Sequence, residues 1–262
     1  MDYNSNQNNQ QQNGYYTGDN QNQFYTTGGS GAQSAPYGMG AFQYETLSGY
    51  TTKTFGWMFA GLSVTFFVAL FCYASGLAYT LLSLPFAFIG LAVLELVVVF
   101  SMSLKANRIS AASARTRFFL YAGINGVVFS TYFYAFSMFD LVLSFGATAL
   151  YFGIMAGYGY LTKSDLSGWQ KPLFFGLIAM LIVSVVGMFV GGVNILLCCA
   201  GIVLFACYTA YDTHKIKAAY FATAGNEELA KKASIFAALE LYLDFINLFL
   251  YVLRIFARNS DN

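Results

Sequence analysis

The stretch Ser234–Phe256, SIFAALELYLDFINLFLYVLRIF, decides how the rest of the chain is interpreted. It is long enough to cross a bilayer, which takes about 20 mostly apolar residues. It nevertheless carries Glu240 and Asp244 inside its apolar run. A carboxylate near the middle of a bilayer costs at least ~2.5–3.5 kcal/mol unless it faces protein or water. We therefore expect the other helices of the chain to surround this one.

The polar residues of this stretch follow a helical spacing. Glu240, Asp244, Asn247 and Tyr251 stand at i, i+4, i+7 and i+11, which places them on one face of a helix. We expect that face to point inward. It can serve as hydrogen-bonding contact between helices, but amides and hydroxyls would do so at a lower cost than acids. The pattern therefore favours a functional role.

The composition is that of a polytopic membrane protein. The 262 residues are 57% hydrophobic and only 10% charged, whereas a soluble domain carries about 25% charged residues. None of the 13 Lys and Arg residues lies deep in an apolar run, but four acids do: Glu95, Asp212, Glu240 and Asp244. Buried acids without matching bases indicate protons or cations as the counter-charge. We expect no nucleic-acid partner, no bound cofactor and no enzymatic activity.

Seven apolar runs predict an all-α fold with seven transmembrane helices in residues 45–258. Residues 1–44 are rich in Asn, Gln, Gly and Tyr, and we expect them to form a disordered tail. Pro172 is expected at a first helical position, and Asn226 as a helix N-cap. The runs are approximately 55–74, 78–104, 117–136, 139–161, 172–190, 195–216 and 234–256.

Basic residues in the links predict the orientation. Links 105–117, 162–171 and 217–233 carry Lys and Arg, which places them and the N-terminus in the cytoplasm. The C-terminus lies outside if the last stretch crosses fully, and inside if that stretch is re-entrant. Gly153 and Gly157 form a small-xxx-small pair, which permits close helix contact. We interpret it as core packing, with a pore-lining role as the alternative.

Asp212 and Asp244 lie on consecutive, antiparallel helices at depths within about two turns of each other. If the carboxyl groups touch, they cannot both ionise at low cost and would share a proton. The pair would then be a pH-sensitive latch, or an oxygen-rich site for a hard cation such as Ca²⁺. Alternatively, each carboxylate is bonded separately to a hydroxyl or amide. His214, beside Asp212, is either a pH sensor or a solvated residue at a helix end.

Two segments resemble the Bax inhibitor-1 family: AYDTHKIK at Ala210–Lys217 and AALELYLDFINLFLYVLRIF at Ala237–Phe256. The string LYLDFINLF is the most recognisable element, and the resemblance extends over residues 45–258. It implies a seven-helix fold whose last helix is central between two three-helix layers. It also implies a multi-pass protein, which we place in a bacterial plasma membrane.

The resemblance implies a pH-sensitive calcium leak gated by Asp212 and Asp244, which makes Ca²⁺ and protons the partners. Both aspartates are tentative Ca²⁺ ligands. The second-helix acid of the family matches Glu95. A basic residue about three turns after that acid latches onto the sixth-helix aspartate in bacterial relatives, and Lys105 and Arg108 are the candidates here, although the spacing slips by one residue or more.

Glu240 departs from the family pattern, in which a small polar residue is more usual, and predicts stronger cation attraction at the cytoplasmic mouth. With Glu95 and Asn247 it is assigned to the ion path.

Two other functions stay open. The chain can be a non-transporting regulator that binds other membrane proteins, such as a protease. An intramembrane aspartyl protease is a weaker alternative, favoured by the pair Tyr211–Asp212. The glycine-containing motif that those proteases place before their second aspartate is absent before Asp244.

Overall fold

The computed structural model describes residues 46–84, 86–104, 108–190 and 195–260. These residues belong to one compact unit, and they form helices and turns without a β-strand. The predicted tail, 1–44, lies outside the described residues, as does Lys105. The α-helices of the described ranges are α1 (Leu47–Ala74), α2 (Leu77–Ser83), α3 (Ala87–Leu104), α4 (Ala111–Phe129), α5 (Tyr132–Ala135), α6 (Met138–Leu161), α7 (Gln170–Val190), α8 (Ile195–Ala222) and α9 (Glu227–Ser260).

Six of the predicted crossings are present as helices long and apolar enough to span a membrane. They correspond to α1, α4 with α5, α6, α7 with the turn before it, α8 and α9. Large apolar side chains cover their outer surfaces, among them Phe59, Phe67 and Phe71 on α1 and Leu150 on α6, each more than 60% exposed. Such a surface is suited to lipid rather than water.

The second predicted crossing, 78–104, is not one continuous helix. It is divided into α2, of 7 residues, and α3, of 18 residues, whose apolar part is Ile89–Met102. Leu84 ends α2 in an extended conformation, with φ −96° and ψ 117°. Leu84 directly precedes Pro85 in the sequence, and the ring of a proline disfavours the helical conformation of the residue before it.

Helix boundaries elsewhere depend on capping groups. The Ser110 side chain accepts a hydrogen bond from the Ser113 amide and starts α4 at Ala111, six residues before the predicted start. Pro172 is the third residue of α7 rather than the first, a position where the helix still requires no amide donor. The prediction that Asn226 is an N-cap is confirmed, because its Oδ1 accepts from the Leu229 amide at 2.9 Å.

Helix α9 is the central helix of the unit. It packs against α1, α4, α6 and α8, and 72% of its most apolar window is buried, compared with 6–44% for the other five candidate spans. On one side of α9, α4 contacts both α1 and α3. On the other side, α8 contacts both α6 and α7. This is the position that we predicted for a helix carrying internal acids. The helix is also continuous over 34 residues, which is not the geometry of a re-entrant segment.

Two hydroxyl contacts join α9 to α1. Thr54 Oγ1 lies 2.8 Å from Ser234 Oγ, and Thr65 Oγ1 lies 2.7 Å from the Tyr242 hydroxyl. Thr65 Oγ1 also lies 3.0 Å from the Ala122 carbonyl oxygen of α4. Because a threonine hydroxyl has a single proton, Thr65 donates to a carbonyl and accepts from Tyr242.

Close helix contact occurs at glycines other than the predicted pair. A Cβ built on Gly153 or Gly157 would meet nothing within 4 Å, because both residues line a cavity of about 540 Å³ between α1 and α6. The prediction of close packing at this pair was wrong, whereas the pore-lining alternative stays a prediction. The closest backbone approach is at Gly159, where a Cβ would overlap the main chain of Ala210 on α8. At Gly201 a Cβ would lie 2.7 Å from the Tyr251 ring of α9.

These two environments on α6 give a matched pair of substitutions. Gly159→Ala should destabilise the fold by about 1–3 kcal/mol, because α6 and α8 must move apart to admit the methyl group. Gly153→Ala should leave stability unchanged or raise it by up to ~1 kcal/mol, because alanine favours a helix and the site is open. Thermal unfolding in detergent measures both. Equal midpoints for the two variants would contradict the packing described here.

Candidate functional site

The candidate site lies in the seam between α8 and α9, which run antiparallel. The ring of Phe205 stacks on Tyr251 with centroids 6.0 Å apart, whereas Lys215, later on α8, meets Glu240, earlier on α9. Asp212 and Asp244 lie between these two contacts. The seam is therefore aromatic toward the C-terminal end of α9 and charged toward its N-terminal end.

The structure brings Asp212 and Asp244 together. Their side chains hydrogen-bond to each other, and the two residues are only 7% and 4% exposed. A hydrogen bond between two carboxyl groups requires one proton, since ionised carboxylates only accept. Asp244 Oδ2 is buried and has no hydrogen-bond partner among the described residues.

Lys215 supplies a base that we did not predict at the acids. Its Nζ lies 2.7 Å from both Glu240 carboxylate oxygens and 3.7 Å from Asp212 Oδ1. The expectation that the buried acids lack a matching base was therefore wrong for this group. With one proton on the aspartate pair, two carboxylates stay ionised and one ammonium offsets one of them. The cluster then carries about one net negative charge.

The predicted inward stripe of α9 is divided between two environments. Asp244 and Tyr251 are buried in the seam with α8. Glu240 has a side chain 39% exposed, and Asn247 is half-buried and donates to the Leu243 carbonyl of its own helix at 2.7 Å. Asn247 is thus satisfied locally. Only Glu240 joins the aspartates, and it does so through Lys215.

Glu95 lies in a different polar group. It interacts electrostatically with Tyr121, Tyr132 and Tyr242, and its buried Oε1 has no hydrogen-bond partner among the described residues. Tyr242 and Asp244 are two residues apart on α9, so their side chains point in directions about 200° apart. The structure therefore does not bring Glu95 to the aspartate pair.

The remaining candidates lie away from the pair. Arg108 is exposed in the link before α4, and the basic group that the described structure places at Asp212 is Lys215. His214 lies near Asp165 in the link between α6 and α7. Hydrogen bonds from the Ser167 side chain and amide lower the pKa of Asp165, with a smaller contribution from His214.

The described residues contain no group of three or more His, Cys, Asp or Glu side chains arranged to hold a metal ion. Ca²⁺ takes six to eight oxygen ligands, so the two aspartates alone supply part of a shell. Their assignment as Ca²⁺ ligands stays a prediction.

The position of Lys215 beside the acids could have been predicted from the sequence, because it stands three residues after Asp212 and therefore on the same helix face.

Known proteins resemble the chain over most of its length. A family model described as "Inhibitor of apoptosis-promoting Bax1" matches residues 47–261. The inner membrane protein YbhL of Escherichia coli K12 is 37% identical over 215 residues, covering 80% of this chain and 92% of its own. An uncharacterized protein of Deinococcus radiodurans is 36% identical, with coverage of 79% and 89%. An uncharacterized membrane protein of Streptococcus pyogenes serotype M3 is 32% identical, with coverage of 82% and 94%.

The shared proton makes a prediction about stability. Raising the pH removes that proton and leaves two like charges in contact, so the unfolding midpoint of the wild type should fall as the pH rises. In Asp244→Asn the amide donates to Asp212 at every pH, and this fall should be smaller.

Thermal scans in detergent across a pH series test this, with Asp165→Asn, an exposed link residue, as the matched control. Parallel pH profiles for the wild type and Asp244→Asn would show that the pair does not share a proton.

Proposed function

The chain belongs to the Bax inhibitor-1 family, and on that premise we propose that it is a pH-sensitive Ca²⁺ leak channel gated by Asp212 and Asp244. The observation that carries the proposal is the direct contact of these two carboxyl groups inside the helix bundle. Such a contact is stable only while the pair holds a proton. It therefore couples the packing of α8 on α9 to pH.

Loss of the proton has two consequences at the same place. The two carboxylates repel each other, which favours separation of α8 from α9 at this contact. They also become an anionic, oxygen-bearing site that attracts a hard cation. Flux should therefore rise as the pH rises through the titration of the pair.

The Lys215–Glu240 contact stands at the entrance to this pair in the proposal. Both side chains are partly exposed, at 44% and 39%. While the ammonium lies across Glu240 and Asp212, it repels an approaching cation. Displacement of Lys215 would expose Glu240 as the first carboxylate that an ion meets.

We place the chain in a bacterial plasma membrane with its N-terminus in the cytoplasm. The family relatives include an inner membrane protein. The three basic links then face the cytoplasm, as the positive-inside rule expects. Helices α2 and α3 together supply the seventh crossing, since the 18 residues of α3 extend ~27 Å, close to the thickness of a bilayer core.

A regulator that binds other membrane proteins is the second candidate, and the description of the matching family as an inhibitor of Bax1 favours it. A regulator of this kind would retain its activity when both aspartates are replaced. Replacement of both aspartates therefore distinguishes the two functions, because it should change Ca²⁺ transport and leave partner binding unchanged.

The central test is Ca²⁺ uptake into proteoliposomes across a pH series. Wild-type flux should depend on pH, and Asp212→Asn combined with Asp244→Asn should pass Ca²⁺ at a rate that no longer follows pH, because neither residue then titrates. A wild-type protein that passes no Ca²⁺ at any pH would remove the channel proposal and leave the regulator.

The entrance makes a separate prediction. Lys215→Gln removes the ammonium from Glu240 and Asp212 and should raise Ca²⁺ flux severalfold at neutral pH, with a larger rise at low ionic strength. Lys217→Gln is the matched control, because Lys217 lies two residues away over the Tyr160 ring, 5.2 Å from its centroid. Equal flux in the two variants would contradict a role for Lys215 at the entrance.

A further inference from the structure

A column of buried polar side chains runs along α6. Asp140, Ser144 and Thr148 stand at i, i+4 and i+8, and they are 5%, 0% and 0% exposed. Asp140 is hydrogen-bonded to the Ser137 hydroxyl at 2.6 Å. The hydroxyls of Ser144 and Thr148 have no hydrogen-bond partner among the described residues. Leaving a buried hydroxyl without a partner costs ~1–3 kcal/mol, so two of them one turn apart indicate a role other than packing.

The column faces the seam where α6 meets α8 and α9. The ring of Phe145 packs on Phe245 of α9, and so does the ring of Phe152, each with centroids 5.5 Å apart. Gly159 fits against Ala210 of α8. Thr148 stands three residues after Phe145 and four before Phe152, which places it on the same side of the helix. Helices α8 and α9 are the main partners of α6 among the described elements.

The column extends from the neighbourhood of the aspartate pair toward the N-terminal end of α6. Phe145 also contacts Phe249, so α6 and α9 run antiparallel, and the middle of the interval 145–152 lies level with residues 245–249. The ring contacts place Thr148 near the level of Phe245. The backbone contact of Gly159 with Ala210, beside Asp212, lies 11 residues or ~16 Å further along α6, so Thr148 lies on the N-terminal side of α6 relative to the pair. Ser144 and Asp140 follow at steps of ~6 Å toward the N-terminal end of α6.

The column and the salt bridge lie on opposite sides of the pair. Lys215 and Glu240 lie toward the N-terminal end of α9, whereas Ser144 and Asp140 lie toward its C-terminal end. Asp244 Oδ2 is buried, and apart from the Asp212 carboxyl no described group is hydrogen-bonded to it. The charged groups nearest the pair are Asp212 and Lys215 on α8 and Glu240 and Asp244 on α9. Asp140 lies at the N-terminal end of α6. Arg254 and Arg258 lie at the C-terminal end of α9.

We propose that Ser144 and Thr148 line a hydrated path that leads water and small cations from Asp140, at the N-terminal end of α6, to Asp244. The hydroxyl oxygens replace part of the hydration shell of a cation as it moves along the seam. This inference rests on the proposed function and deepens it, because it connects the aspartate pair to the membrane face opposite Lys215 and Glu240.

Access of water to the column can be measured without any ion transport. Single cysteines at Ser144→Cys and Thr148→Cys are placed in a chain whose native cysteines, Cys72, Cys198, Cys199 and Cys207, are replaced by serine or alanine. Reconstituted protein is treated with a charged, water-soluble methanethiosulfonate. Both cysteines should react, because a hydrated path gives the reagent access to them.

Ala122→Cys on α4 is the matched control, because Ala122 is also completely buried but lies outside the column. Cysteines at 144 and 148 that stay as unreactive as the cysteine at 122 at every pH would overturn the path. This test of the path does not depend on whether the protein transports Ca²⁺.

Transport gives the second test. Thr148→Val keeps the shape of the side chain and removes the hydroxyl, and together with Ser144→Ala it should lower Ca²⁺ flux about tenfold. Thr209→Val is the control, because Thr209 is fully buried but its hydroxyl already donates to the Phe205 carbonyl at 2.8 Å.

The two proposals fail in different ways. A wild type without Ca²⁺ flux removes the leak channel, and the cysteine reactivity still decides the path. Normal flux in the valine and alanine double variant, with pH dependence lost only when the aspartates are replaced, keeps the channel and overturns the path.

Discussion

The arrangement of the protein depends on one contact, the hydrogen bond between the Asp212 and Asp244 carboxyl groups. Two acids in contact inside an apolar bundle are stable only with a shared proton and with protein on every side. The packing meets the second condition, because α9 is enclosed by α1, α4, α6 and α8. Lys215 and Glu240 close the seam on its partly exposed side.

Helix α9 is attached to its neighbours by two kinds of interaction. Neutral hydroxyl contacts, Thr54 with Ser234 and Thr65 with Tyr242, join it to α1, and these do not change over the physiological pH range. Carboxyl groups join it to α8. A change in protonation therefore acts on the α8–α9 contact and leaves α1 and α9 together. In the proposed gating, α8 therefore moves relative to α9, and α1 supports α9.

The internal position of α9 could be predicted from sequence, because Glu240 and Asp244 cannot face lipid. The same reasoning identified the pairing of Asp212 with Asp244 as one of two alternatives, since antiparallel neighbours bring their depths close together. The break before Pro85 was underestimated, because apolar character continues through it. Lys215 was placed at the end of the sixth run, just before a basic link, and was not paired with the acids. Helix α8 continues to Ala222 and keeps this side chain beside them.

Other features depend on tertiary contacts that the sequence does not encode locally. Gly153 and Gly159 look equivalent in the sequence, but only Gly159 meets another backbone. The column of Ser144 and Thr148 looks like ordinary small polar residues until both are found buried without partners. Glu95 was assigned to the ion path because it is an acid inside an apolar run. It lies on the opposite side of α9, among tyrosines.

The shared proton is the central claim, and infrared spectroscopy of the protein in lipid tests it most directly. The C=O stretch of a protonated aspartic acid should be present near neutral pH, should decrease as the pH rises, and should be lost from the spectrum of Asp244→Asn. The C=O band of Glu95 is identified by adding Glu95→Gln to the wild type and to Asp244→Asn. A spectrum in which Asp244→Asn removes no protonated-carboxyl band at any pH would contradict the account.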